Sequence, residues 1–298
     1  MKIYGHCRFS YFGLSDTGRA ITTIDHAQTL LWNPVRMAAR FHLFEQILLP
    51  ALRNQTDPDF VFQLITSTPM PEVYKERLAD LVADTPQIRV LCTDDMDLGS
   101  ALLGIIAEAS DGHSQPAVHF RLDDDDAVCT QYIERIRAAS QRVDPGGMIS
   151  FSSGVIGFLD GDAARHCAHI HPYIAIGLAL INEPLARLNP FRIRHAKYAN
   201  YVPSYVDPTF PAFHYTLHSV NNTSGYAQTF QTAGDRNERI GRALQRNPEL
   251  AEGGVTTELA ELHLARAFPY TNGAHLRQVI LDTARPNELA ERLGLPRG

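Results

Sequence analysis

Val118-His119-Phe120-Arg121-Leu122-Asp123-Asp124-Asp125-Asp126-Ala127-Val128 passes from an apolar run into four consecutive carboxylates and back. The apolar part has the length of a short buried strand, and an interior strand leads into charge where it delivers that charge to a site. Alternation along an extended chain predicts that Asp123 and Asp125 face one way and Asp124 and Asp126 the other, so that one pair can share a cation. Four crowded carboxylates suit a hard divalent ion: Mg²⁺, Mn²⁺ or Ca²⁺. A solvated acidic turn that caps a helix from near Thr130 is the alternative. The buried strand directly before the run favours the site.

Working back from this stretch, the apolar runs Lys2 to Phe9, Phe60 to Ile65 and Ile88 to Cys92 read as parallel strands. The spacing of Val35, Met37, Ala38, Phe41, Phe44, Ile47 and Leu48 predicts a helix that Pro50 bends or ends. Further helices are expected over 71–83 and 99–109. Each strand ends in polar residues, and in a parallel sheet ligands bind beyond that edge. Arg8 follows the first strand and can reach a phosphate or a base. Asp94 and Asp95 follow the third and can accept from a base or ribose, or else cap the next helix.

Downstream, a helix is expected from Thr130 to Gln141, then a hairpin of 148–151 and 154–159 turning at Ser152-Ser153-Gly154. Ile174 to Ile181 reads as another buried strand. Three histidines, His166, His169 and His171, lack the spacing and the acidic partner of a zinc site. The stretch from Arg194 through Tyr198, Tyr205 and His218 reads as long aromatic loops lining a cleft, with rings suited to stacking on sugars. From Asp235 the chain turns charged and helical, with segments near 236–245, 256–267, 275–283 and 287–293. These suit packing, oligomerisation or acceptor positioning.

The 298 residues are 44% hydrophobic and 20% charged, an ordinary globular composition. A net charge of −6 without a basic stripe argues against nucleic acid as partner. Cys7, Cys92, Cys129 and Cys167 are scattered without metal or disulfide spacing, so a reducing, cytoplasmic setting is expected. No run has the length of a membrane span, which leaves peripheral contact.

Leu122 to Asp126 after an apolar strand resembles the Asp-x-Asp motif of GT-A fold glycosyltransferases, and the surrounding chain resembles the putative rhamnosyltransferase family of bacterial enzymes. The matching stretches are Arg8-Phe9-Ser10-Tyr11; Arg40 to Glu45, running on to Leu49-Pro50-Ala51-Leu52 and Gln55 to Phe60; Arg121 to Ala127; and His218-Ser219-Val220-Asn221-Asn222. They span roughly residues 1 to 225. Thr66-Ser67-Thr68 stands where relatives of this fold often carry an acidic base-binding residue.

The resemblance implies an α/β fold with a GT-A-like, mixed, mainly parallel sheet flanked by helices over 1–230, and the charged helical segments that follow read as an appendage over 231–298. It implies transfer of a sugar from a dTDP-, UDP- or GDP-linked donor to a glycan acceptor with Mn²⁺ or Mg²⁺. Asp125 would be the leading metal ligand, with Asp123 and His218 beside it. Arg8, Asp94, Asp95, Arg121, Asp123 and Asp124 would line the nucleotide pocket, and Asp207 or Glu183 would deprotonate the acceptor. A metal-dependent phosphoesterase using the same carboxylates, or a non-catalytic binding protein of the same fold, are the competing readings.

Overall fold

The computed structural model describes residues 1–13, 21, 23–109, 115–183, 186, 188–192, 195–218 and 255–295. Arg194, the side chain of Tyr198, Ser219 to Asn222 and the helix expected over 236–245 lie outside the described residues. Four strands, β1 (Lys2–Arg8), β2 (Val61–Ser67), β3 (Ile88–Thr93) and β4 (Ala117–Arg121), pair in parallel in the order β3-β2-β1-β4. The sheet continues through β8 (Ala179–Asn182), β6 (Met148–Asp160), β9 (Ser204–Leu217) and β5 (Ala127–Val128), with β7 (Ala163–Ile170) paired to β6. It is a mixed sheet, and its longest register, β6 with β9, is parallel.

Helix α1 runs without a break through Pro34–Leu43, Phe44–Leu48 and Leu49–Arg53. Asn33 caps it by accepting from Val35 N–H (3.0 Å), and Pro34 takes the first turn, where its missing N–H is no loss. Of the two expected outcomes at Pro50, an end of the helix is not seen. The turn before it widens to a π turn in which Leu49 N–H reaches Phe44 O, and the helix passes the proline. Nearly every residue of the first half is buried, Arg36, Arg40 and His42 included. Helices α2 (Glu72–Val82) and α4 (Tyr132–Ala139) lie with α1 over one face of the sheet, and α3 (Leu98–Ala109) packs with Tyr11 and Ile65 on the other.

Helices α5 (Val255–Ala267), α6 (Gly273–Asp282) and α7 (Pro286–Arg292) are not a separate layer. Ala260, Leu264, Phe268, Leu276, Val279 and Leu289 share one buried cluster with α1 and the sheet, and Thr130 N–H donates to Ala267 O (3.0 Å). No described helix is long and apolar enough to cross a membrane.

Three elements differ from the sequence expectation. Ser152-Ser153-Gly154 is no turn: β6 is one strand of thirteen residues, and its hairpin to β7 turns at Gly161-Asp162. The aromatic stretch expected as loops is a 3₁₀ turn (His195–Asn200) and the long strand β9. Only the last part of the Ile174 to Ile181 run is extended, as β8.

Candidate active site

β1 and β4 pair with His6 opposite Arg121, so Arg8 and Asp123 leave neighbouring strands at the same edge. Arg121 Nη2 donates to Asp123 Oδ1 (3.2 Å) and Oδ2 (3.3 Å), and Arg8 Nε lies 3.8 Å from Asp123 Oδ1. Asp123 is the outermost of the four aspartates, its side chain 25% exposed.

Beyond Asp123 the chain folds back as a turn, with Asp126 N–H donating to Asp123 O (3.3 Å), so the expected alternation of the four carboxylates fails. Asp124 and Asp125 instead meet one guanidinium. Arg40 Nε donates to Asp124 Oδ2 (3.0 Å), its Nη2 pairs with Asp124 Oδ1, and its Nη1 donates to Asp125 Oδ2 (2.9 Å). All three side chains are buried, so a planar fork matched to both carboxylates carries the charge balance of the strand end.

The upper end of β9 closes the cluster from the far side of the sheet. Only five residues link β4 to β5, so the sheet curls to bring Thr216 and His218 over the Asp run. Thr216 N–H donates to Asp126 Oδ1 (2.9 Å), Thr216 Oγ1 to the Asp125 carbonyl, and His218 Nε2 to Asp125 Oδ2 (2.8 Å). Burial by itself would push the Asp125 carboxyl up, but the Arg40 charge and the hydrogen bonds from His218 and Arg40 hold it well below the usual carboxylate range. Asp126 goes the other way: burial, then the charges of Asp125 and Asp123, raise it far above that range. Burial lowers the His218 imidazole, against the pull of Asp125. Asp125 is thus an ionised carboxylate facing a neutral imidazole. Among the described residues no three His, Cys, Asp or Glu side chains converge as a ready-made metal cage.

The sequence profile of the family described as "Putative rhamnosyl transferase" matches residues 2–229. The chain belongs to this family. The match takes in β1 to β9, the Asp run and His218, and the family is of glycosyltransferase type. No curated protein sequence matches the chain at a significant level. Among solved structures, Staphylococcus aureus TarS 1–349 in complex with UDP is 10% identical over 99% of this chain and 92% of that one, with a TM-score of 0.42. A second TarS 1–349 structure is 9% identical over 96% and 72% of the two chains, with a TM-score of 0.37. A Bacillus anthracis structure titled a putative glucose-1-phosphate thymidylyltransferase in complex with a sucrose is 8% identical over 68% and 86%, with a TM-score of 0.34.

Within this rhamnosyl transferase family member, Arg8, Arg121, Asp123, Asp125 and His218 come together at one edge. Asp124, expected in the nucleotide pocket, is buried and turned inward onto Arg40. Asp94 and Asp95 stand exposed on the same edge at β3, three strand positions from β4, and the Tyr11 hydroxyl donates to the Asp95 carbonyl. The cap of α3 is Asp97, which accepts from Gly99 N–H (3.2 Å) and Ser100 Oγ (2.7 Å). Glu183 is on the wrong edge: β8 runs antiparallel to β4, with Asn182 opposite Ala117, so Glu183 follows at the end remote from Asp123. Asp207 pairs with Phe151 at the height of Leu122, and its carboxylate accepts from Thr209 N–H (2.8 Å) and Thr209 Oγ1 (2.6 Å). Sequence reasoning gave Arg40 and Thr216 no role. Arg40 stands in a family-like stretch, but its partners are 84 and 85 positions away.

Proposed function

We propose that the protein transfers a deoxyhexose such as rhamnose, or a related hexose, from a dTDP-, UDP- or GDP-linked donor to a glycan acceptor, with Mn²⁺ or Mg²⁺ at Asp125 and His218. The observation that carries this reading is the convergence of Asp125 Oδ2 and His218 Nε2, 2.8 Å apart, beside the Arg8–Asp123–Arg121 group at the C-terminal edge of the parallel strands. Membership of the glycosyltransferase-type family supports it.

The donor set fits such an ion. Mg²⁺ and Mn²⁺ sites of this kind take one or two protein ligands and complete their shell with phosphate oxygens and water, so two convergent donors suffice. With the ring proton on Nδ1, His218 Nε2 offers its lone pair where it now donates. The ion, when bound, neutralises charge that develops on the departing diphosphate.

The chain's own residues do the rest. Arg8 and Arg121 add fixed positive charge at the same edge. Asp123, the exposed carboxylate, accepts from a ribose hydroxyl or an ion-bound water. Arg40 and Thr216 hold Asp125 in place. Asp207, on β9 at the height of Leu122 and three strand positions from β4, is the candidate to take the acceptor proton.

The test is release of nucleoside diphosphate from dTDP-, UDP- and GDP-linked sugars with Mn²⁺ and a glycan acceptor. Turnover of one donor, lost in Asp125→Ala, is expected. Hydrolysis of p-nitrophenyl phosphate with no turnover of any nucleotide sugar would favour a phosphoesterase instead.

A further inference from the structure

The short stretch 188–192 lies against the first turn of α3, beside the Asp123 edge. Asn189, fully buried, donates from Nδ2 to Gly99 O (2.8 Å) and accepts at Oδ1 from Phe191 N–H (3.1 Å). Arg192 N–H donates to Asn189 O (3.0 Å), and Arg192 Nη1 to Ser100 Oγ (3.0 Å). These bonds fix the backbone on both sides of Phe191, whose ring packs with the cluster of Tyr11, Ile65, Leu98 and Leu102.

On that ring rests Arg121, its guanidinium carbon 4.5 Å from the ring centre. Arg121 is only 6% exposed, and its buried Nε has no hydrogen-bond partner among the described residues. A guanidinium over an aromatic face is held there by the ring's negative face, which limits the directions its N–H groups take. One edge of the guanidinium meets Asp123. A buried N–H left unpaired is costly, and an anionic oxygen in the guanidinium plane would relieve it with a charge-assisted bond.

We propose that Phe191 is a positioning residue: by stacking on Arg121 it sets the plane in which the guanidinium meets the diphosphate of the nucleotide donor. The inference rests on the nucleotide-sugar chemistry proposed above. Phe191 touches no ligand itself and acts through Arg121.

Calorimetric titration of UDP, dTDP and GDP with Mn²⁺ tests it, with the nucleosides uridine, thymidine and guanosine as controls. Phe191→Leu keeps an apolar side chain and removes the ring. It is expected to weaken diphosphate binding about three- to thirty-fold, the range of a partly desolvated cation–π contact, while nucleoside binding stays at the wild-type value. Phe191→Tyr keeps the stack and binds as wild type, and the loss vanishes in an Arg121→Ala background. The proposal is overturned if Phe191→Leu binds diphosphate at full strength, if it weakens nucleoside and diphosphate alike with a lowered Tm, if Phe191→Tyr also loses affinity, or if the loss persists without Arg121. A wild-type protein that binds none of the three diphosphates overturns the donor reading with it. Wild-type binding with an unaffected Phe191→Leu overturns the role of Phe191 alone.

Discussion

Replacing Arg40 by methionine keeps an unbranched apolar stem and removes the guanidinium charge on which two buried carboxylates depend. Arg40 is 3% exposed, Asp124 1% and Asp125 6%, so water does not take over from the lost guanidinium. Asp124 loses both the Nε and the Nη2 contact, whereas Asp125 loses one hydrogen bond and keeps His218. Removing one side of such a buried pair costs about 3–5 kcal/mol, and for a chain of this size that lowers Tm by about 5–8 °C. The sign with pH follows from the charge left behind. An uncompensated buried Asp124 has a raised pKa, so at neutral pH the unfolded state is favoured by its freedom to ionise. The deficit relative to wild type therefore shrinks as pH falls and the carboxyl protonates. Asp124→Asn in the Arg40→Met background should recover more than about 1 kcal/mol, because the two residues share one interaction. Urea and thermal unfolding of the four proteins at pH 7.5 and pH 5 measure all of this. A deficit below about 1 kcal/mol at pH 7.5, or no recovery in the double variant, would refute the reasoning.

Acidification should destabilise the wild-type protein through its buried histidines. Burial holds His119 and His166 down to about 4, so between pH 6.5 and 4 the unfolded chain binds protons that the folded one does not, and stability falls with pH by at most about 1.4 kcal/mol per unit for each. A Tm that is flat from pH 7.5 to pH 5 would contradict this. Gly177→Ala should lose about 1–3 kcal/mol in urea unfolding, since Gly177 has φ +70° and an added Cβ would lie 2.8 Å from the Tyr132 ring. An alanine variant with unchanged stability would show that the Tyr132 contact with this turn gives way.

The first half of the fold was legible because its strands are continuous apolar runs separated by helical spacing, and such runs depend on local sequence. What stayed hidden depended on pairing. In β6, Ser152-Ser153-Gly154 look like turn residues, yet the strand runs through them and Gly154 makes room for the Phe213 ring. In β9, Pro211 has no N–H to donate, and the pairing with β6 shifts register at Ser153 opposite it. Glu183 was misplaced because an apolar run does not reveal its direction, and β8 runs antiparallel. At the site, the Asp run itself announced the edge. Its alternation failed because residues 124 and 125 turn, and the turn is set by Arg40 and Thr216, whose distance in sequence leaves no local trace.

The most direct measurement of the central claim is thermal stabilisation by UDP, dTDP and GDP, each with and without Mn²⁺, on the wild-type protein and on Asp125→Ala. One diphosphate with Mn²⁺ at a hundred times its Kd should stabilise the wild-type protein by about 2.7 kcal/mol, less without the ion, and Asp125→Ala should lose the Mn²⁺-dependent part. Equal stabilisation of both proteins, or none by any nucleotide, would contradict a nucleotide-sugar site at the end of β4.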